Sequence, residues 1–205
     1  MYQIIPGGSM AINYQQVRFA GAYGTPSQLP PCVKPEVSFA GRSNVGKSSL
    51  MNKLFNRKGL VKVSAKPGKT TTINFFPTES VDFVDLPGYG FAKVSAQEHE
   101  RWSKLMDSYF EGERDHALVV CLVDIRHDAS PLDVQMIAYL HKLGLPFAIV
   151  FTKADKVSRG KQQQQVRTLC RQLEAPGDTP ILVCSAQTGQ GIDTLKNLIA
   201  AATGQ

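Results

Sequence analysis

One octet in this chain has the residue types and spacing of a phosphate cradle. Gly41-Arg42-Ser43-Asn44-Val45-Gly46-Lys47-Ser48 satisfies G-x-x-x-x-G-K-[ST] throughout. Glycines at 41 and 46 let backbone N–H groups curl around phosphate oxygens with no Cβ in the way. Lys47 brings a positive charge to the β- and γ-phosphates, and Ser48 offers a hydroxyl to Mg²⁺. A helix starting at Lys47 aims its N-terminus at the same anion.

Three further segments could complete such a site. Asp85-Leu86-Pro87-Gly88 places a carboxylate where it can hold Mg²⁺ through water, and leaves the Gly88 N–H open to a γ-phosphate. Alone, Asp-x-Pro-Gly is a turn signal, and it is the phosphate cradle about forty residues earlier that gives it another meaning. Thr152-Lys153-Ala154-Asp155 offers a carboxylate to paired donors such as N1–H and N2–H₂ of guanine, a pair that adenine lacks. On its own that tetrapeptide reads equally as a solvated loop. Cys184-Ser185-Ala186 could supply backbone N–H groups to the guanine O6. Residues 56–71 are too long for a compact helix-to-strand connection. They carry Arg57, Lys58, Lys62, Lys66 and Lys69, as expected of a loop that orders on a nucleotide or polyanion. A featureless surface loop is the alternative.

The elements that must hold these residues follow from hydrophobic period. Short apolar runs at 36–40, 72–77, 81–85, 118–124, 147–152 and 181–184 read as strands. Helical stripes occur over 47–55 and 97–111, through Leu132, Met136, Tyr139, Leu140 and Leu143, through Val166, Leu169, Cys170 and Leu173, and over 192–201. Apolar strands alternating with amphipathic helices predict a parallel sheet covered on both faces. Residues 1–35, with Gly7-Gly8 and Pro30-Pro31, read as an extended lead-in that is partly disordered, with room for one short strand. Residues 36–205 then form a single domain.

Composition narrows the classes. The chain has 205 residues, 42% of them hydrophobic and 20% charged, which excludes wholesale disorder. There is no apolar run of about 18 residues and no basic-then-apolar leader, so a cytoplasmic protein without membrane contact is expected. Cys32, Cys121, Cys170 and Cys184 have no metal-ligand or disulfide spacing. A net charge of +6 suits a polyanionic partner, though a solvated basic face explains it equally well.

Read together, G-R-S-N-V-G-K-S-S, K-P-G-K-T, V-D-L-P-G-Y-G-F-A-K-V, D-I-R-H and T-K-A-D resemble the EngB family (also called YihA or YsxC) of translation-factor-type small GTPases. The resemblance spans roughly residues 13–201. It implies an α/β fold of the three-layer P-loop NTPase type, a Ras-like G domain with a mostly parallel central sheet and helices on both faces. It also implies GTP and GDP binding with Mg²⁺ and slow hydrolysis. The implied partner is the large ribosomal subunit or its precursor, through rRNA and ribosomal proteins, with the protein a monomer needed for normal cell division and septation. Carried over by position, Gly41 to Ser48 with Ser49 form the phosphate loop, and Ser48 is the first Mg²⁺ ligand. Gly68, Lys69, Thr70, Thr71 and Thr72 form the first switch, with Thr70 the second ligand. Asp85, Leu86, Pro87, Gly88, Thr152, Lys153, Ala154, Asp155, Cys184, Ser185 and Ala186 are the remaining nucleotide contacts. Lys47, Thr70, Gly88 and Asn44 are the catalytic candidates.

One position departs from the Ras-like pattern. Tyr89 follows Gly88, where Ras-like proteins carry a glutamine that orients the attacking water. A phenol cannot present a carbonyl and an amide to that water. Asn44 resembles the asparagine of potassium-activated GTPases, which holds K⁺ against the phosphates, and a loop-shaping hydrogen bond is its other reading. Two rival functions stay open on the residues alone. One is a P-loop kinase for a small acceptor, which T-K-A-D disfavours, and the other is a non-hydrolysing binding module.

Overall fold

The structure is a computed structural model that describes residues 12–62, 72–90 and 95–205. The expected disorder of the first residues, and Gly68, Lys69, Thr70 and Thr71 of the expected first switch, lie outside those residues. Along the chain come β1 (Gly21–Tyr23), β2 (Glu36–Gly41), α1 (Lys47–Leu54), β3 (Ile73–Pro77), β4 (Asp82–Asp85), α2 (Ala96–Phe110), β5 (His116–Asp124), α3 (Pro131–Lys142), β6 (Phe147–Thr152), α4 (Arg159–Gln172), β7 (Ile181–Val183) and α5 (Ile192–Ala202). The strands form one seven-stranded sheet in the order β1-β3-β4-β2-β5-β6-β7.

Side-chain alternation explains the three layers. In β5, Leu118, Val120 and Leu122 enter one buried cluster with Leu50, Met51 and Leu54 of α1 and Leu195 and Ile199 of α5. Val119, Cys121 and Val123 enter the other, with Leu105 and Met106 of α2, Ile137 and Leu140 of α3 and Leu169 of α4. A strand covered on both faces distributes its residues in this way.

The sheet is not parallel throughout. The pairs β2–β4, β2–β5, β5–β6 and β6–β7 are parallel, but β3 runs antiparallel to β4 and β1 antiparallel to β3. Residues 78–81 join β3 to β4, too few for a crossover, and the Thr78 hydroxyl closes their turn by donating to the Val81 carbonyl at 2.8 Å. The register sets Asn74 directly opposite Asp85.

From residue 12 the lead-in packs on this sheet: β1 pairs with β3, and Ile12 and Val17 join the core. A buried charge pair fixes its far end. Glu36 is fully buried at the start of β2, where it accepts from Arg114 Nε at 3.0 Å and from the Tyr109 hydroxyl at 2.9 Å. The same guanidinium donates to the Pro30 carbonyl at 3.0 Å, tying the lead-in to the sheet. Arg114→Leu strands the Glu36 carboxylate in the interior, so urea unfolding should show a loss of about 3–5 kcal/mol. Adding Glu36→Gln to that variant should recover part of it.

Candidate functional site

The phosphate loop runs from the C-terminal end of β2 to the first turn of α1. Two of its residues have left-handed backbones, Asn44 at φ 65° and Gly46 at φ 102°. Gly46 needs glycine for that conformation, and asparagine is among the residues that tolerate it at 44. Gly41 needs glycine for a different reason from the one the motif suggests. A Cβ there would lie 2.9 Å from Val45 Cγ1 and 3.1 Å from the Leu122 carbonyl oxygen, so the constraint is packing of the loop against β5. No side chain caps the start of α1 and its first turn holds no acid, which leaves the positive end of the helix to an anion. Arg42, Asn44 and Ser49 are exposed.

Lys47 is bound within the chain. Its ammonium pairs with Asp85 Oδ1, both side chains being largely buried. The other oxygen, Oδ2, accepts from Asn74 Nδ2 at 3.2 Å, and Asn74 Oδ1 accepts from the Thr72 hydroxyl at 3.0 Å. A polar chain thus leads from Thr72 through Asn74 and Asp85 to Lys47. Asn74 was missed in the sequence, where its one signal is an amide interrupting the apolar run Ile73–Pro77. The Ser48 hydroxyl donates to the Lys62 carbonyl at 3.3 Å, joining the expected metal ligand to the start of the basic loop.

Gly88 lies against this loop. A Cβ on it would come within 3.2 Å of Ser43 Oγ and 3.3 Å of Ser43 N. Next to it the Ser43 amide donates to the Tyr89 carbonyl at 3.0 Å. The Tyr89 side chain turns away into the core, where its hydroxyl donates to Asp133 Oδ1 at 3.0 Å. Burial, and then the neighbouring Asp133, push the phenol well above its ordinary pKa, so it stays a neutral donor.

On the other side, residues 152–155 brace the same loop. Thr152 is buried, and its hydroxyl donates to the Val45 carbonyl at 2.7 Å. Lys153 donates to the Asn44 carbonyl at 2.7 Å and pairs with Asp124 at 2.9 Å. Asp124 also takes Arg126 through both oxygens, at 2.9 and 2.7 Å. Burial works against its charge, but Arg126 and Lys153 hold its carboxyl well below the ordinary range. Asp155 Oδ1 accepts from the Ser185 hydroxyl at 2.6 Å, which lowers the pKa of its carboxyl and keeps it ionised.

Of the last three residues, Cys184 donates its amide to the Phe151 carbonyl at 2.8 Å and Ser185 to that of Gln190 at 3.0 Å. Among the described residues the Ala186 amide alone of the three has no partner, so the expected set of donors to a base carbonyl narrows to that one. The side chains of Val45, Leu86, Thr152, Ala154 and Cys184 are buried, and the amides of Val45, Leu86, Ala154 and Cys184 go to the carbonyls of Arg42, Phe39, Cys184 and Phe151.

The arrangement is thus a cradle of backbone amides, a lysine held by a strand-end carboxylate, and an ionised Asp155 beside a free amide. The protein-family profile described as "50S ribosome-binding GTPase" matches residues 36–153. A protein of Geobacillus kaustophilus, "Probable GTP-binding protein EngB", is 44% identical over 89% of this chain and 94% of its own length. The chain belongs to the EngB family of GTPases. Its EngB relative from Syntrophomonas wolfei is 43% identical over 93% of this chain and 98% of its own. The crystal structure of a probable GTP-binding protein engB superposes with a TM-score of 0.69 at 26% identity, covering 82% of this chain and 98% of that one. GTP binding and hydrolysis are accordingly the activity that the geometry serves. Among the described residues no helix is long and apolar enough to cross a membrane.

Thr152 is the most buried link between the two halves of the site. Thr152→Val keeps its shape but leaves the Val45 carbonyl unpaired, at a cost of about 1–3 kcal/mol. Urea unfolding should register that loss, and titration with a fluorescent GDP analogue should show weaker binding. Unchanged values in both would mean that the bond does not hold the loop.

Proposed function

We propose that this EngB-family chain is a slow GTP-driven switch, a cytoplasmic monomer that acts in assembly of the large ribosomal subunit and is needed for normal cell division and septation. The observation that carries the switch is the pairing of Lys47 with Asp85 at the foot of the phosphate loop, linked through Asn74 to Thr72 at the end of the expected first switch. A γ-phosphate at Lys47 and Gly88 would bear on both switch segments at once. Family membership and the +6 charge support a ribosomal, RNA-rich partner. Sedimentation with ribosomal particles in GTP, GDP and no nucleotide tests it, and equal pelleting in all three would overturn the switch.

The donor set at the site fits Mg²⁺. The Ser48 hydroxyl and the Asp85 carboxylate are hard oxygen ligands of the kind Mg²⁺ accepts beside phosphate oxygens, and we assign Thr70 as a further ligand. Mg²⁺ held there would neutralise charge on the β- and γ-phosphates. Lys47 supplies a second positive charge, and the Gly88 amide a donor to the γ-phosphate. Hydrolysis is slow on this reading because the one side chain at position 89 is held on Asp133 and orients no water.

Asp155 selects the base: its carboxylate, fixed by Ser185, takes both donors of the guanine edge, and the Ala186 amide takes the carbonyl. Asp155→Asn should weaken GTP binding by about 2–3 kcal/mol and improve binding of xanthosine triphosphate, whose C2 oxygen needs a donor. Fluorescence competition between the two nucleotides reads both changes.

Asn44 holds K⁺ against the phosphates. Among the described residues the exposed Asn44 side chain makes no hydrogen bond, so its structural role is limited to its left-handed backbone at φ 65°. Hydrolysis should be faster in K⁺ than in Na⁺ at matched ionic strength. Asn44→Gly, which keeps the left-handed backbone and removes the carboxamide, should abolish the difference. Equal rates in the two salts would leave Asn44 a backbone role only.

A further inference from the structure

Helix α4 reads RGKQQQQVRTLCRQ: Arg159, Lys161, Arg167 and Arg171 stand among five glutamines with no acidic residue over 14 positions. The nearest acids along the chain are Asp155 before it and Glu174 after it. All four cations are exposed, and among the described residues none of them is in an ion pair. Arg159, Gln163, Arg167 and Arg171 follow one another at four-residue steps. They therefore form a ridge with about 6 Å between neighbours along the axis and about 18 Å in all.

This placement works against the helix. Arg159 and Lys161 sit in the first turn, where the macrodipole disfavours cations, and Ser158 ahead of them makes no side-chain cap. Sequence features that oppose local stability point to a role elsewhere. The ridge also has shape. A groove of about 680 Å³ separates it from the edge strand β7, with Arg159, Gln163 and Arg167 on one wall and Ile181 and Val183 on the other. A second groove, of about 470 Å³, lies on the far side of Arg167, with Gln164, Thr168 and Arg171 on its wall.

We propose that the α4 ridge docks on the phosphate backbone of structured RNA. Its chemistry is cationic and amide throughout, suited to phosphate oxygens and ribose hydroxyls. The residues lining the two grooves include no aromatic, so base stacking on single strands is not its mode. The ridge is distinct from the nucleotide site, which α4 touches through the buried Gln162, donating to the Ala154 carbonyl at 2.9 Å, and not through any ridge cation. The identity of the RNA as ribosomal rests on the function proposed above, whereas the phosphate chemistry does not.

The test uses the full chain and a fluorescein-labelled RNA duplex of about 20 base pairs, with anisotropy followed between about 50 and 200 mM salt. Arg167→Gln with Arg171→Gln should weaken binding about tenfold and lower the slope of log K against log salt by about 1.8, since two phosphate contacts are lost. Affinity for a fluorescent GDP analogue should not change. Lys104→Gln with Lys142→Gln removes the same charge from α2 and α3 and should have little effect. Equal losses in the two doubles would reduce the effect to net charge and overturn the ridge, as would duplex binding untouched by the α4 double. If the α4 double binds duplex normally but loses a protein component of ribosomal particles, the surface is a protein contact and the RNA assignment fails. Binding of duplex through α4 with no binding to ribosomal particles would sink the ribosomal reading and leave this one standing.

Discussion

The Lys47–Asp85 pair is the contact on which the site turns. It joins the first residue of α1 to the last residue of β4, so the end of the phosphate loop and the start of the Asp85–Gly88 segment share one charge pair. A lysine already paired in a largely buried place contributes to phosphate binding only the difference between two anionic partners. An Asp85 released from it would be an uncompensated carboxylate, stabilised by a cation arriving with the phosphates. A phosphate at Lys47 and a divalent ion at Asp85 would each replace the partner that the other removes. Coupling of this kind needs no moving domain, only two residues that cannot both stay bound as they are.

The loop around that pair is braced from its far side by residues 152–155. Thr152 and Lys153 bond the carbonyls of Val45 and Asn44, the two residues that precede Gly46. Those carbonyls are occupied by Thr152 and Lys153 and so are kept from an anion, while the Val45 amide between them goes to the Arg42 carbonyl at 3.1 Å. The T-K-A-D segment therefore splits its residues: Thr152 and Lys153 shape the loop, and Asp155, held by the buried Ser185, faces outward. A small sheet of parallel strands makes this possible, because β2, β5 and β6 all end on the same edge.

Much of this was legible in the chain. The octet at 41–48, the strand-end Asp85 and the Thr152–Asp155 segment sit where hydrophobic period placed them, because a motif that follows a buried strand inherits its position from the sheet. Four features were not legible, each for a physical reason. The antiparallel β3 and β1 depend on which strand a short segment finds beside it, which apolar runs do not encode. Asn74 matters only because the register sets it opposite Asp85, a relation between strands rather than a property of one. Gly41 reads as a phosphate-facing glycine until the neighbour that excludes its Cβ, Leu122 of β5, is known. Consumption of the Cys184 and Ser185 amides by Phe151 and Gln190 is likewise a tertiary fact.

Tyr89 shows how a local substitution can change what a loop is free to do. Its hydroxyl joins the capping box of α3, in which Asp133 Oδ2 accepts from the Ser130 amide and hydroxyl while Oδ1 accepts from Tyr89. Both carboxylate oxygens of Asp133 are used, and the side chain is buried. Any rearrangement that drags position 89 outward must break a buried hydrogen bond, at a cost of about 1–3 kcal/mol. The residues on either side carry no such constraint: Gly90 is left-handed at φ 78°, and Gly88 has no side chain to hold it. Movement of the second switch segment is therefore easiest as rotation about the two glycines with the phenol left in place. A glutamine at 89 would have no comparable hold on α3, so the tyrosine exchanges a water-orienting group for an anchor.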